Sequence, residues 1–197
     1  MEDDALLRAV HQFARTCLDD LTHTEQVAKN SLQLFDALQP LHRYGEEERS
    51  WLLYAALLHD IGWTQGWQEH HKKSLKMILD NQILPMNSKE RLIVGSIARY
   101  HRKALPDLKH DHYAALEPSE RKIVSKMAAL LRIADGLDYN HSNNLITITA
   151  AITLTDVILT CNVTLYSTEE EKQAYKKADL FEQVYKRRLY LRFQEIT

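Results

Sequence analysis

The chain has 197 residues, 45% hydrophobic and 26% charged, which is globular composition with enough length to bury a real core. Gly (5) and Pro (4) are too scarce for a loop-rich all-β fold, and a net charge of −2 argues against an extended nucleic-acid surface. Cys17 and Cys161 cannot build a disulfide framework, the start is acidic with no signal-peptide pattern, and no apolar run nears the roughly 18 residues of a membrane span, so a reduced, cytoplasmic setting is expected.

Leu6, Val10, Phe13, Cys17 and Leu21 recur at steps of three and four, the stripe of an amphipathic helix. Thr22 with Glu25 is a capping-box pattern that opens a second helix, striped by Val27, Leu34, Phe35 and Leu38 and stopped by Pro40. A third is expected over 46–59, with Trp51, Leu52, Ala55 and Leu58 inward and Gly62 as breaker. A fourth covers 70–81 through Leu75, Ile78 and Leu79, and a fifth opens at Ser88 and runs to Tyr100. Residues 106–117 read as a polar loop, and Ser119 opens a sixth helix with Ile123, Met127, Leu130, Leu131 and Ala134 inward. After Ser142 the period changes to two. Residues 145–153 and 157–165 alternate apolar and polar side chains, are rich in β-branched residues and read as strands joined at Thr155-Asp156. Thr168 with Glu171 opens a helix to Tyr185, and Leu189, Leu191 and Phe193 mark a last strand. The expected fold is mainly α: a helical body over 1–141, then a small C-terminal α+β appendage over 142–197 packed on it.

His is abundant at 10 residues. Chance supplies roughly one His-Asp dipeptide in a chain of this composition, so the pair His59-Asp60 means little alone. Its context sets it apart from the second pair, His110-Asp111, which lies in the polar loop and reads as solvated. His59-Asp60 follows the apolar run Leu52-Leu53-Tyr54-Ala55-Ala56-Leu57-Leu58 and precedes Ile61-Gly62. A helix thus delivers an imidazole and a carboxylate where the chain can bend away, and that pairing suits borderline or hard divalent metals. His23 opens the second helix, His70-His71 opens the fourth, His101 ends the fifth, and Asp135 falls late in the apolar sixth, where an unpaired carboxylate would be costly. Each also has a plain structural reading: Asp135 could pair with Arg132, and His11, His42, His110 and His112 read as surface residues.

His23, His59-Asp60 and the distant Asp135 resemble the HD superfamily of metal-dependent phosphohydrolases. The words Leu57-Leu58-His59-Asp60-Ile61-Gly62, His70-His71-Lys72-Lys73-Ser74, Arg99-Tyr100-His101-Arg102-Lys103-Ala104, Leu131-Arg132-Ile133-Ala134-Asp135-Gly136-Leu137-Asp138 and Lys177-Ala178-Asp179-Leu180-Phe181 narrow this. They resemble the C-terminal region of the exopolyphosphatase / guanosine pentaphosphate phosphohydrolase family over nearly the whole chain. The resemblance implies an HD-type helical bundle. These residues hold no counterpart of the actin-like domain that carries the family's main polyphosphate chemistry and no Gly-rich phosphate loop. A stand-alone chain with its own metal chemistry is therefore expected. Lys73 stands where relatives often have a third His, which leaves His70 and His71 both open as ligands.

The implied activity is metal-dependent phosphohydrolysis of a phosphate ester or anhydride: a nucleotide, a guanosine polyphosphate or a short polyphosphate. One divalent ion (Mn, Mg, Fe, Ni, Co or Zn) would be held by His23, His59, Asp60 and Asp135. A second would share Asp60 with His101 and His70 or His71. Such an ion lowers the pKa of a bound water to about 7. Lys72, Arg102 and Lys103 are candidates for neutralising phosphoryl charge, with Asp138 as a candidate helper one turn after Asp135. The rival reading is a non-catalytic, metal-containing module that binds polyphosphate or nucleotide or mediates dimerisation. Half-exposed strands and the resemblance suggest a homodimer, with a phosphorylated small molecule or polyphosphate as partner and neither nucleic acid nor membrane.

Overall fold

The computed structural model describes residues 2–196. The helical body is built from α1 (Glu2–Cys17), α2 (Thr22–Ala37), α3 (Gln39–His42), α4 (Glu46–Leu58), a 3-10 turn (Ile61–Gln65), α5 (His70–Asp80), α6 (Ser88–Arg99), α7 (Asp111–Ala114) and α8 (Pro118–Gly136). The appendage follows as β1 (Leu145–Ile152), β2 (Asp156–Val163), α9 (Thr168–Lys176), α10 (Asp179–Tyr185) and β3 (Arg188–Glu195). The fold is mainly α with a small three-stranded sheet at the C-terminal end, as the change of period predicts.

α4 is the central helix. Trp51, Leu52, Tyr54 and residues 55–58 are all buried, so it is apolar on every side and packs against α1, α2, α6 and α8. α8 carries a similar surprise. Its stripe predicts one inward face, yet residues 127–136 are buried all round, Arg132 and Asp135 included. The reason is tertiary: α2, α4 and α6 cover one side of α8, and α9 and α10 cover the other. Gly136 allows this closeness, since a Cβ there would lie 2.7 Å from Ala174 Cα. The buried apolar side chains of body and appendage form one continuous cluster, from Val10 through Leu130 to Val157, Phe181 and Leu191.

The sheet order is β1-β2-β3, with β1 antiparallel and β3 parallel to β2. β2 alternates as read: Val157, Leu159, Cys161 and Val163 are all buried. The expected continuation to Leu165 fails, because the strand ends at Val163 and Leu165 is exposed. In β1 a bulge between Leu145 and Thr147 shifts the register, so Leu145 and Ile148 turn inward while Ile146 is only half-buried.

Several boundaries differ from the sequence reading for identifiable reasons. Thr22 does not cap α2; the Asp20 carboxylate accepts from the Thr22 N–H at 2.8 Å. Asn87, not Ser88, caps α6, with Glu90 closing the box. Ser167, not Thr168, caps α9, accepting from the Glu170 N–H at 3.2 Å. Pro40 lies in the first turn of the short α3, where a missing N–H costs nothing. The polar loop holds the one-turn α7, and the helix expected to reach Tyr185 breaks at Lys177-Ala178 into α9 and α10.

Candidate metal centre

Because α4 runs through the core, the two residues that follow it arrive inside the molecule. His59 is fully buried, and its Nδ1–H donates to Ala56 O at 2.6 Å. The chain then turns at Gly62, where a Cβ would sit 2.1 Å from His70 O and 2.7 Å from Ser74 N. Only glycine lets α5 dock this close. Ser74 fastens the contact: its Oγ donates to His59 O at 2.7 Å and accepts from the Gly62 N–H at 2.9 Å. The first residue of α5, His70, is thereby pressed against Asp60, with Nε2 3.1 Å from Oδ1. His101, just beyond α6, reaches the same Oδ1 at 3.5 Å. His23, in the first turn of α2, donates Nδ1–H to Asp138 Oδ2 at 2.7 Å and turns Nε2 towards Asp135 Oδ1 at 3.4 Å. His59 Nε2 lies 3.5 Å from Asp60 Oδ2 and 4.0 Å from Asp135 Oδ1.

Two groups of ligand atoms result: His23, His59 and Asp60, and Asp60, His70 and His101, each with its atoms within 4.8 Å of one another. Asp60 belongs to both, and Asp135 adjoins the first. The rings are pre-set. His59, His70 and His101 each direct Nδ1 at a backbone carbonyl, of Ala56, Trp67 and Ala98. A carbonyl only accepts, so Nδ1 carries the proton and Nε2 presents a lone pair. Asp60 Oδ1 and His59 Nε2 are accordingly buried without a hydrogen-bond partner, despite their near neighbours. The Nε2 atoms of His70 and His101 face each other at 3.2 Å. Lone pairs and a carboxylate oxygen converging in this way repel unless a cation lies among them, so the donor set fits a divalent ion.

Without an ion the carboxylates and imidazoles compete for protons, which metal binding would displace. Burial would lower the His23 imidazole, but Asp135 and Asp138 outweigh it and raise it to about 9. Burial would raise Asp60, but His59, His70 and His101 hold it well below the usual carboxylate range. Asp135 is likewise held low against burial, chiefly by Lys177. His101 is driven well below its ordinary value by burial and by His59.

The remaining residues singled out in the sequence spread around this centre. His71 joins neither ligand group; its ring lines a cavity of about 810 Å³ beside the centre, with Trp67, Lys72, Lys73, Arg99, Arg102 and Lys103. Burial and the cations Arg99, Arg102 and Lys72, with His70, push His71 down to about 3. Arg102 Nη1 stands 3.5 Å from His70 Nε2, which joins cavity and centre. Lys72 is exposed and pairs with Glu69, and Lys103 is exposed on the cavity wall. Asp138 is buried behind His23 rather than facing the cluster, and it also accepts from the Asn143 N–H at 2.8 Å. Trp63 stacks on His70 at 5.0 Å, and Trp67 receives the His70 Nδ1 proton at its carbonyl.

Three expectations need correction. Arg132 does not pair with Asp135; it bonds Asp179 at 2.9 Å, Tyr100 O at 3.2 Å and Lys177 O at 3.3 Å. His42 is buried, bonding Phe35 O at 2.8 Å and accepting from the Tyr44 N–H at 3.0 Å. His110 and His112 are half-buried against Tyr100, whose hydroxyl bonds His110 Nδ1 at 2.8 Å. Asp111 is exposed in α7, and His110-Asp111 joins neither ligand group.

The residue missed by sequence reasoning is Lys177. Its ammonium pairs with Asp135 Oδ2 from the helix break of the appendage, which Arg132 clamps in place. The one sequence signal at this position is the word Lys177-Ala178-Asp179, which carries the family resemblance but no contact to Asp135. His141 stacks on His23 at 3.8 Å, a contact that no local sequence pattern signals.

Imidazoles and carboxylates carried by or next to α2, α4, α5, α6 and α8 thus meet in one His/Asp cluster beside a cationic cavity, and two groups within it could hold a metal ion. The family model for Ppx/GppA phosphatase, domain III, matches residues 7–184, and the chain belongs to that family. The match takes in the helical body and the appendage as far as α10. Comparison with curated proteins returned no match. Among the described residues no helix is long and apolar enough to cross a membrane.

Proposed function

We propose that this chain is an HD-type, metal-dependent phosphohydrolase acting on a phosphate ester or anhydride of the nucleotide, guanosine polyphosphate or short polyphosphate class. The observation that carries the reading is the Asp60 carboxylate shared by two groups of Nε2 donors, each ring locked through Nδ1, with a cationic cavity adjoining. His23, His59, Asp60 and Asp135 would hold one ion, and Asp60, His70 and His101 a second. Divalent ions there would supply Lewis acidity towards a phosphoryl oxygen and a water acidified to about neutral pKa.

The chain's own groups have separate tasks. Asp138 fixes the His23 tautomer so that Nε2 faces inward. Lys177 occupies Asp135 Oδ2 and leaves Oδ1 to face His23 and His59. Arg102, beside His70, is placed to neutralise charge that grows on phosphoryl oxygens, with Lys72 and Lys103 further along the wall. Trp63 stacks on the His70 ring and would help hold its orientation.

Chelator-stripped protein should take up one or two divalent ions per chain by calorimetric titration and then release phosphate from one of these substrate classes. Asp60→Ala should remove both properties while circular dichroism keeps the helical signal. Asp111→Ala, carrying the same dipeptide in α7, should change neither. Saturable metal uptake with no turnover across the substrate classes would favour the non-catalytic binding module. No uptake at all would end the reading.

A further inference from the structure

His23 is held differently from the other three imidazoles of the centre. His59, His70 and His101 each anchor Nδ1 on the carbonyl three residues earlier in the chain, a rigid backbone acceptor. His23 anchors it on the Asp138 carboxylate, a side chain 115 positions away that can itself turn. The χ2 torsion of histidine is soft, so a single hydrogen bond at the ring edge still lets the ring tilt and Nε2 swing. The second restraint comes from His141. Its ring lies over His23 with centroids 3.8 Å apart and planes 10° apart, the closest and most parallel ring pair among the described residues. At that distance the two faces are in van der Waals contact, which blocks a tilt towards that side.

The turn that follows α8 supplies both contacts, Asp138 at the ring edge and His141 on the ring face. His141 at φ 56° and Asn143 at φ 54° are both left-handed without being glycine, a costly backbone that persists only where its surroundings hold it. Inside the turn, the His141 N–H donates to Asp138 O at 2.9 Å and the Asn143 N–H to Asp138 Oδ1 at 2.8 Å. Outside it, Asn140 donates to Ser167 Oγ at 2.9 Å and Ser142 Oγ donates to Glu170 Oε1 at 2.6 Å, which ties the turn to the start of α9. His141 is exposed and takes no part in the apolar core, so packing does not account for its placement.

We infer that His141 is a positioning residue for the centre: stacked on His23, it fixes the direction in which Nε2 points towards Asp135, and α9 sets that geometry by holding the turn. That His23 is a metal ligand rests on the phosphohydrolase reading above; that His141 fixes its ring does not.

Two variants of the full chain separate ring from backbone. His141→Asn keeps a residue that tolerates the left-handed conformation and removes the ring. His141→Phe keeps a flat ring and removes both nitrogens. Melting temperatures check that each is folded. In metal-free protein, the proton between His23 Nδ1 and Asp138, followed by proton NMR, should exchange slowly with water in the wild type and His141→Phe and fast in His141→Asn. Chelator-stripped protein titrated with Co²⁺, whose visible absorption reports ligand geometry, should bind about tenfold more weakly in His141→Asn, the lower end of what an outer contact on a histidine ligand contributes. His141→Phe should restore wild-type affinity and spectrum. Wild-type proton exchange in His141→Asn overturns the proposal. So does a folded His141→Phe as weak for Co²⁺ as His141→Asn, which would assign the effect to the imidazole nitrogens. Absence of Co²⁺ uptake in every protein defeats the metal reading instead, while slow exchange that depends on the His141 ring still upholds the positioning of His23.

Discussion

Lys177 sits with 16% of its side chain exposed against an Asp135 side chain 10% exposed, so the pair is well removed from water. Removing one partner of such a pair leaves a buried charge uncompensated, which costs about 3–5 kcal/mol at full burial and about 2–3 kcal/mol with this exposure. Lys177→Met should therefore lower the melting temperature of chelator-treated protein. A divalent ion should restore more stability to the variant than to the wild type, because the ion supplies the missing positive charge. Equal metal-induced shifts in both proteins would show that Lys177 does not matter to the centre. His112 offers a separate pH test. Burial, then Arg99, push its imidazole from 6.5 to about 4, so the folded state prefers it neutral. Its contribution to stability is complete above about pH 6.5 and declines as pH falls towards 4, since the unfolded chain takes up the proton first. Denaturant midpoints between pH 7 and 4.5 should fall less steeply in His112→Asn than in wild type. At this scale the sequence was most informative where chemistry and context coincide: His59-Asp60 at the end of an apolar run is legible without coordinates. Lys177 was not, because its meaning depends on a contact 42 positions away that no local pattern encodes.

Close approach between elements is what glycine permits here, and the positions differ in what a methyl group would meet. At Gly62 the obstacle is backbone, His70 O at 2.1 Å, so Gly62→Ala must push α5 away from Asp60. A loss of more than about 2 kcal/mol is expected, together with loss of the ligand group that contains His70. At Gly95, inside α6, the nearest atom is Leu75 Cδ1 at 3.0 Å, the end of a half-buried side chain that can yield. Gly95→Ala should be neutral to stabilising by up to about 1 kcal/mol, since alanine favours the helix. Urea denaturation of the two variants side by side decides. The sheet is guarded in a comparable way. Gln33 of α2 accepts from the Ile148 N–H at 2.8 Å and donates to Ile146 O at 3.2 Å, and Tyr175 and Glu182 accept from the Leu191 and Leu189 N–H groups at 2.8 and 3.0 Å. Side chains thus occupy backbone groups on both outer strands, which discourages growth of the sheet by strand addition. The strands themselves were legible from alternation. Their edges were not, nor were the caps at Asn87 and Ser167, because each depends on which of several adjacent polar side chains reaches the backbone.

Body and appendage share one apolar core, and α8 lies in the middle of it. A stripe on α8 suggested a helix with one dry face. The second dry face became visible only with α9 and α10 laid on it at Gly136, which explains why Arg132 and Asp135 can be buried so late in a helix. The expected consequence is that removing residues 142–197 unfolds the body. Without them the outer side of α8 would meet water, Arg132 would lose its bonds to Asp179 and Lys177 O, and Asp135 would lose Lys177. Leu145 and Ile148, which complete the packing beside α2, would go as well. The exposed apolar surface alone corresponds to several kcal/mol at about 25 cal/mol per Å², comparable to the whole stability of a typical domain. A chain ending at residue 141 should therefore be insoluble or molten, without the cooperative melt of the full chain. The full chain should unfold in a single calorimetric transition whose van't Hoff and calorimetric enthalpies agree. Two resolved transitions, or a folded and soluble 1–141 fragment that still takes up a divalent ion, would show that the body stands alone and that Lys177 is dispensable to the centre.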